Sequence, residues 1–275
     1  MSRIAIDLGG TNLRVALVGD EGIISQVSEP CKAQGTENEV IEQICGLIDM
    51  VKTDDIASIG IAVPSVVDFQ QGIVYNVVNI PSWQEVHLKQ ILESRYHVPA
   101  WVDNDVNCFV AGEKAFGAGR GFHNIVGITL GTGVGAGIVV DDKVYRGSNT
   151  GAGEIGCLPY LDGIYEDYTS SQLFKQWNTT GKEESDKADA GDPEAIARWE
   201  TLGYHLGKLL QVILYTYDPE AIIIGGGIAQ SRRHFEKAMM ASLHEGFMYP
   251  HEAERVKIIF SELKDCNILG ASALA

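Results

Sequence analysis

The hydrophobic pattern of the chain changes period several times, and each change marks an element. Residues 3–8 alternate into an apolar run, Gly9-Gly10 interrupts it, and residues 13–18 resume it. Asp20-Glu21-Gly22 is a second break before residues 23–27. Strand-length runs divided by short glycine turns predict an antiparallel meander. The period then becomes helical. Thr36 and Glu39 have capping-box spacing, and Val40, Ile41, Ile44, Leu47, Ile48 and Val51 recur on one helix face. Residues 58–63 read as a strand stopped by Pro64. Residues 74–79 and Pro81-Ser82-Trp83 read as irregular, and residues 85–95 as a helix. A short strand at 100–102 leads into Asn104-Asp105 and a helix to Phe116. A meander followed by alternating helix and strand predicts an α/β fold.

Past Gly117-Ala118-Gly119-Arg120-Gly121, the best linker in the chain, the pattern repeats. Strands at 124–130 and 136–140 enclose a Gly131–Gly135 turn, and Asp141-Asp142 turns the chain toward Val144-Tyr145. Two similar halves predict two lobes with a cleft between them. The first is residues 1–117, with a closing helix at 266–275 packed back on it, and the second is residues 118–265. Residues 181–191 are almost wholly charged or small and read as a solvated loop. Asp192 caps a helix that opens on Pro193 and runs to about Tyr217. A strand at 221–224 ends in Gly225-Gly226-Gly227; a helix near 233–245, a strand at 256–260 and a small apolar helix at 268–275 complete the chain.

Composition narrows the function. Of the 275 residues, 45% are hydrophobic and 21% charged, as in a soluble globular protein. No apolar run reaches the roughly 18 residues of a membrane span. The N-terminus lacks the features of a signal peptide, so a cytoplasmic protein with no membrane partner is expected. A formal charge of −16 argues against a sequence-independent grip on nucleic acid. It leaves room for an anionic ligand held by backbone N–H groups. The five cysteines are scattered, with no C-x-x-C pair, which suggests neither a disulfide framework nor a thiolate zinc site. Asn178-Thr179-Thr180 matches a glycosylation sequon, by chance if the chain is not secreted.

Candidate chemistry gathers at Asn104-Asp105. A carboxylate where a strand gives way to a helix is placed to meet a ligand, although either residue could serve only as a helix cap. Gly131-Thr132-Gly133-Val134-Gly135-Ala136 formally fits G-x-G-x-x-A, but apolar strand residues follow it where a dinucleotide fingerprint needs a helix. No P-loop motif is present. What remains is two Gly/Thr hairpin turns, Asp7-Leu8-Gly9-Gly10-Thr11-Asn12 and Gly131-Thr132-Gly133, with Gly225-Gly226-Gly227 after a later strand. Glycine lets backbone N–H groups approach a phosphate, and threonine adds a hydroxyl.

In order and spacing these segments resemble the ROK sugar kinases, which have the two-lobed actin-like ATPase (ribonuclease H-like) fold with a central cleft. Asp7-Leu8-Gly9-Gly10-Thr11 is similar to the first phosphate motif, and Val63-Pro64, Val67-Asp68, Asn79 and Trp83 to the sugar-side segment. Asn104-Asp105 is similar to the catalytic pair and Gly131-Thr132-Gly133-Val134-Gly135 to the second phosphate motif. Gly153-Glu154-Ile155-Gly156 resembles the sugar-binding motif, and Gly225-Gly226-Gly227 the adenosine motif. One departure is clear. Cys157 stands where the family has histidine, and residues 158–166 lack the cysteines of the family's zinc loop, so no zinc site is expected. Glu166 falls where that loop's terminal glutamate would.

The resemblance implies transfer of the ATP γ-phosphoryl group to a sugar hydroxyl, O6 by default, with Asp105 as the general base. Asn79, Asn104, Glu154 and Glu166 would bind other hydroxyls. Asp7 would orient Mg²⁺ through water. Gly9, Gly10, Thr11, Asn12, Gly131, Thr132 and Gly133 would cradle phosphates, and Gly225, Gly226 and Gly227 would lie against adenosine. The substrate is a hexose or N-acetylhexosamine: glucose by default, with N-acetylmannosamine, allose or a β-glucoside as alternatives. The family also makes a homodimer plausible. The rivals are a sugar-responsive repressor, for whose helix-turn-helix the motif at residue 7 leaves no space, and a non-catalytic sugar-binding protein or bare ATPase of the same fold.

Overall fold

The computed structural model describes residues 1–148 and 151–274. The chain forms two compact units, one of Met1–Arg120, Val144–Ala152 and Glu262–Ala275, the other of Gly121–Lys143 and Gly153–Ser261. The first unit thus takes in a short stretch that begins within the last strand of the second meander as well as the closing segment. Ala275, the last residue of the expected closing helix, lies outside the described residues.

In the first unit, β1 (Arg3–Leu8), β2 (Asn12–Gly19) and β3 (Gly22–Pro30) make the expected meander, with Asp7 facing Arg14 across the first hairpin. Helix α1 (Glu37–Val51) begins at the Thr36–Glu39 capping box. β4 (Ile59–Val63) then pairs parallel to β1. β5 (Val66–Asp68), β6 (Ile73–Tyr75) and β7 (Glu85–Val86) form a small separate sheet. The segment expected to be irregular therefore opens on strand pairing, its Trp83 is wholly buried, and the first residues of the helix expected at 85–95 form β7 instead. Helix α2 (Leu88–Tyr96) is followed by β8 (Ala100–Asn104) and α3 (Asp105–Phe116).

The main sheet runs β3-β2-β1-β4-β8. β4 is buried along its whole length because both faces of the sheet are covered. One face packs against α1 and α2, the other against α3 and the closing helix Cys266–Ser272. That helix approaches so closely that a methyl group at Gly60 or Gly270 would collide with the backbone of Ala271 or Cys108.

The second unit repeats the plan. β9 (Ile125–Leu130) and β10 (Val134–Val140) pair antiparallel, followed by β11 (Lys143–Tyr145). β12 (Pro159–Tyr160) and β13 (Gly163–Ile164) make a small hairpin leading into α4 (Tyr165–Thr169) and α5 (Ser171–Gln176). Then come α6 (Gly181–Asp189), α7 (Pro193–Tyr217), β14 (Ala221–Gly225), α8 (Arg232–His244), α9 (Pro250–Arg255) and β15 (Lys257–Phe260). The sheet order is β11-β10-β9-β14-β15, with β14 parallel to both neighbours. The core lies between this sheet and the long α7, built on Trp199, Leu206, Leu210 and Phe235.

Residues 181–191 correct the sequence reading, because most of them form α6 rather than a solvated loop. Thr180 caps α6 through a capping box with Glu183. Glu184 is wholly buried, and its carboxylate takes Lys187 at 2.8 Å and Arg198 at 3.1 Å. This helix is held by a cap and a buried ion cluster, neither of which gives hydrophobic periodicity.

Candidate active site

The parallel strands β1, β4 and β8 finish at one edge of the first sheet. Asp7 pairs with Ala62, and Ala62 with Asp103. Asp7 and Asp103 therefore stand two strands apart, roughly 10 Å, on the same row. The carboxyl ends of parallel strands are where open α/β sheets bind ligands. Beyond Asp7 the chain turns through Gly9 and Gly10; Gly9 N–H donates to the Asn12 carbonyl at 2.9 Å, and Cys31 N–H to the Thr11 carbonyl at 2.8 Å. Asn79 is packed against the Cα of Gly10, where any side chain would collide with it. The expected sugar ligand thus lies directly against the expected phosphate turn. Asp7 itself is held by its cross-strand neighbour Arg14, which also bonds Asp265 at 2.7 Å.

At the end of β8, Asn104 caps α3. Its Oδ1 accepts from Val106 N–H at 2.8 Å and its Nδ2 donates to the Ser65 carbonyl at 3.1 Å. Capping is therefore real and fixes the start of α3. Asp105, half-buried, is the first residue of that helix.

The residue that anchors the junction is one the sequence reading passed over. Asp103 is buried, with a side chain 3% exposed. Its Oδ1 accepts from Asn104 N–H and from Asn107 Nδ2, both at 2.8 Å, and its Oδ2 from Arg146 Nε at 2.7 Å. The Arg146 guanidinium lies over the Phe69 ring, 3.6 Å from its centroid. Beside Asn104 these groups line a pocket of about 260 Å³ with Asp68, Gln70 and Ser148. Spacing i, i+4 between Asp103 and Asn107 was a visible clue. Nothing in the sequence points to Arg146, 43 residues away.

The second unit assembles another group. β9 and β14 run parallel, with Gly225 beside Thr129, so the Gly131–Gly133 turn and the Gly225–Gly227 stretch leave the sheet at the same edge. Gly226 has φ +92°, and its Cα lies against the backbone of Leu130. Only glycine suits both the conformation and the contact. The α4–α5 segment backs the Gly131 turn: Ser171 N–H donates to the Gly131 carbonyl at 2.9 Å, and Gln172 Nε2 to the Thr132 carbonyl at 3.2 Å. Glu166 Oε2 accepts from Val134 N–H at 3.2 Å and rests on the Cα of Gly133.

Glu154, exposed, precedes a short turn that carries Cys157; the thiol sulfur is 3.9 Å from Glu154 Oε2. Partial burial pushes the Cys157 thiol up, and the negative charges of Glu154 and Glu166 push the same way. The structure thus groups Asp7, Gly9–Asn12, Asn79, Asn104 and Asp105 in the first unit. Gly131–Gly133, Glu154, Glu166 and Gly225–Gly227 belong to the second.

The model of the ROK family matches residues 3–275. The chain belongs to the ROK family. Among its ROK relatives, the glucokinase of Thermotoga maritima is 29% identical, across 98% of this chain and 96% of that protein. The xylose repressor of Bacillus spizizenii is 28% identical, across 98% of this chain and 76% of that protein. Of the solved structures, a ROK family glucokinase from Streptomyces griseus, in complex with glucose and AMPPNP, matches with a TM-score of 0.84. It is 25% identical and the match covers 100% of this chain and 99% of that one. The fold is the actin-like ATPase fold of these ROK proteins. Among the described residues, no helix is long and apolar enough to cross a membrane.

Proposed function

We propose that this ROK protein is an ATP-dependent sugar kinase that phosphorylates a hexose hydroxyl, O6 by default, in the cytoplasm. The observation that carries this reading is the Asp103–Asn104–Asp105 junction. A half-buried carboxylate opens α3 at the carboxyl ends of the parallel strands β1, β4 and β8, and a buried hydrogen-bonded network holds the strand that delivers it.

In this reading Asp105 accepts the proton of the attacking hydroxyl, a role worth about 10²–10⁴-fold. Asn79, Asn104, Glu154 and Glu166 bind the other hydroxyls. The Asn104 amide keeps an unused lone pair and hydrogen after capping α3, so capping and sugar binding are compatible. The Gly9–Asn12 and Gly131–Gly133 turns offer backbone N–H groups to phosphates, and Gly225–Gly227 lets adenosine lie close to the backbone.

Mg²⁺ neutralises phosphate charge in such a reaction. Asp7 fits an indirect role toward it. Its Oδ2 is engaged by Arg14, whereas Oδ1 has only a long contact of 3.5 Å from Asn267. One free carboxylate oxygen beside a guanidinium suits a water-mediated contact better than direct coordination.

The test is ATP consumption with and without each member of a panel of hexoses and N-acetylhexosamines. A kinase shows sugar-dependent turnover and a phosphosugar product, and Asp105→Asn loses turnover by about 10²-fold or more while retaining sugar binding. Near-normal turnover in that variant would refute the base assignment. Sugar binding without turnover in the native chain would favour the non-catalytic regulatory role suggested by the xylose repressor relative.

A further inference from the structure

The family's zinc does not fit the residues that stand in its place. Among the described residues, no three His, Cys, Asp or Glu side chains gather as a metal set. The Cys157 sulfur has the Glu154 carboxylate at 3.9 Å, and the segment that follows, residues 158–164, contributes no cysteine or histidine. A structural zinc site needs four ligands. A different construction fills this position.

Residues 159–164 form the β12–β13 hairpin, with Tyr160 opposite Gly163. Its turn places Leu161, an exposed side chain, at φ +52°, a costly conformation for a leucine. Two strands of two residues cannot pay for that themselves. The rings hold it. Tyr160 stacks on Tyr165 of α4, with centroids 4.1 Å apart and planes 14° apart. It meets the edges of Tyr168 at 5.4 Å and of His205 at 5.6 Å. Its hydroxyl lies 3.1 Å from His205 Nδ1, and the Tyr168 hydroxyl donates to the Asp162 carboxylate at the hairpin turn. His205 projects from the long, well-anchored α7. The cluster therefore ties hairpin, α4 and α7 together.

The two carboxylates assigned to the sugar flank this construction. Glu154 precedes the hairpin, and Glu166 follows Tyr165 directly on α4, a helix of five residues too short to hold itself. Glu166 reaches the Val134 N–H of the glycine turn from that position. We propose that Tyr160, Tyr165, Tyr168 and His205 form a metal-free ring cluster that positions Glu166, and through the hairpin Glu154, to bind the sugar. The proposal rests on the kinase reading. The four are positioning residues: their rings act through the two carboxylates. Burial pushes the His205 imidazole toward its neutral form, which leaves a ring nitrogen able to accept from the Tyr160 hydroxyl.

The experiment begins with the native chain. Its sugar-dependent turnover is measured, its zinc content is determined after purification in zinc-supplemented medium, and turnover is repeated after chelation and restoration of Mg²⁺. Tyr160→Ala, Tyr160→Phe and Tyr168→Ala follow. Zinc well below one per chain and chelator-resistant turnover are expected. Tyr160→Ala should raise the KM for sugar about tenfold while leaving the KM for ATP within about twofold, and Tyr160→Phe, which keeps the stack, should restore most of the loss. In a Glu166→Gln background, the added effect of Tyr160→Ala on sugar KM should shrink to about twofold or less, since the ring acts through that carboxylate. If Tyr160→Ala does not fold, Tyr168→Ala, which removes the ring contacts to Tyr160 and His205 and the hydrogen bond to Asp162 but leaves the Tyr160–Tyr165 stack, carries the same comparison. One zinc per chain would overturn the proposal, as would an unchanged sugar KM or equal rises in both KM values. Absence of sugar-dependent turnover in the native chain would instead refute the kinase reading, and the cluster's assigned role with it.

Discussion

The buried pair under the candidate base gives the sharpest stability test. Arg146→Met keeps a similar apolar stem but leaves the Asp103 carboxylate, 3% exposed, without its cation. Breaking a buried ion pair from one side costs about 3–5 kcal/mol. Arg146 is 26% exposed, so water can partly replace it and the loss falls at or below the lower limit of that range, about 2–3 kcal/mol. Loss of the guanidinium from the Phe69 ring, 3.6 Å away, adds about 0.5–1 kcal/mol. At about 2–4 °C per kcal/mol for a unit of this size, the melting midpoint should fall by roughly 5–15 °C. Thermal melts followed by circular dichroism measure this directly.

The decisive arm is Arg146→Met combined with Asp103→Asn. The amide can still accept from Asn104 N–H and Asn107 but no longer buries a charge, so the double variant should regain at least half of the loss. A single variant that melts within about 1 °C of the native chain would refute the reasoning. So would a double variant whose loss is the sum of the two single losses, since coupled partners do not add. The same network holds Asn104 and Asn107, so turnover should fall in the single variant even at temperatures where it stays folded.

Three further outcomes follow from the geometry. Asp105→Asn should abolish sugar phosphorylation with little change in the melting midpoint, because asparagine also tolerates the start of a helix; calorimetric sugar titration beside the kinetic assay separates the two effects. Gly133→Ala places a methyl group where Glu166 Oε2 now lies. The flexible carboxylate can move aside, so stability should change by less than about 1 kcal/mol, while sugar KM rises because Glu166 leaves the Val134 N–H. Burial holds the pKa of His205 below that of a free histidine. The unfolded chain therefore takes up that proton first as pH falls. The native stability is complete above about pH 6.5 and declines as pH drops through the depressed folded value. Melts from pH 7.5 to 5 should show a steeper acid loss for the native chain than for His205→Gln, and parallel curves would contradict the assignment.

What could be read from the sequence depended on whether a residue's role is local. The Thr36–Glu39 cap, the Pro193 helix start and both glycine hairpins are local, and each appears where its motif lies. The Asn104-Asp105 pair was legible for the same reason, as a cap where a strand passes directly into a helix. α6 was missed because its stability comes from Glu184 meeting Arg198 of the next helix, and a charge-rich stretch reads as solvated until its partner is known. Asp103 was missed by a related confusion: beside Asn104 and Asp105 it looked like one more polar residue of the junction, yet it is the one turned inward. Its partner Arg146 comes from a stretch that shares no periodicity with β8, so only the fold reveals the pair.

The ring cluster stands where the sequence lacks the family's metal-binding motif. Cys157 and the missing cysteines point only to the loss of a zinc site, because metal ligands are recognised by residue type at fixed spacing. Tyr160, Tyr165, Tyr168 and His205 have no such signature, since stacking constrains ring planes and distances but not spacing along the chain. Two short strands, a five-residue helix and a strained Leu161 all need external support, and the rings supply it. If that support serves only stability, disturbing it should affect sugar and nucleotide alike. Selective loss of sugar affinity would show that the rings act on the sugar through Glu166.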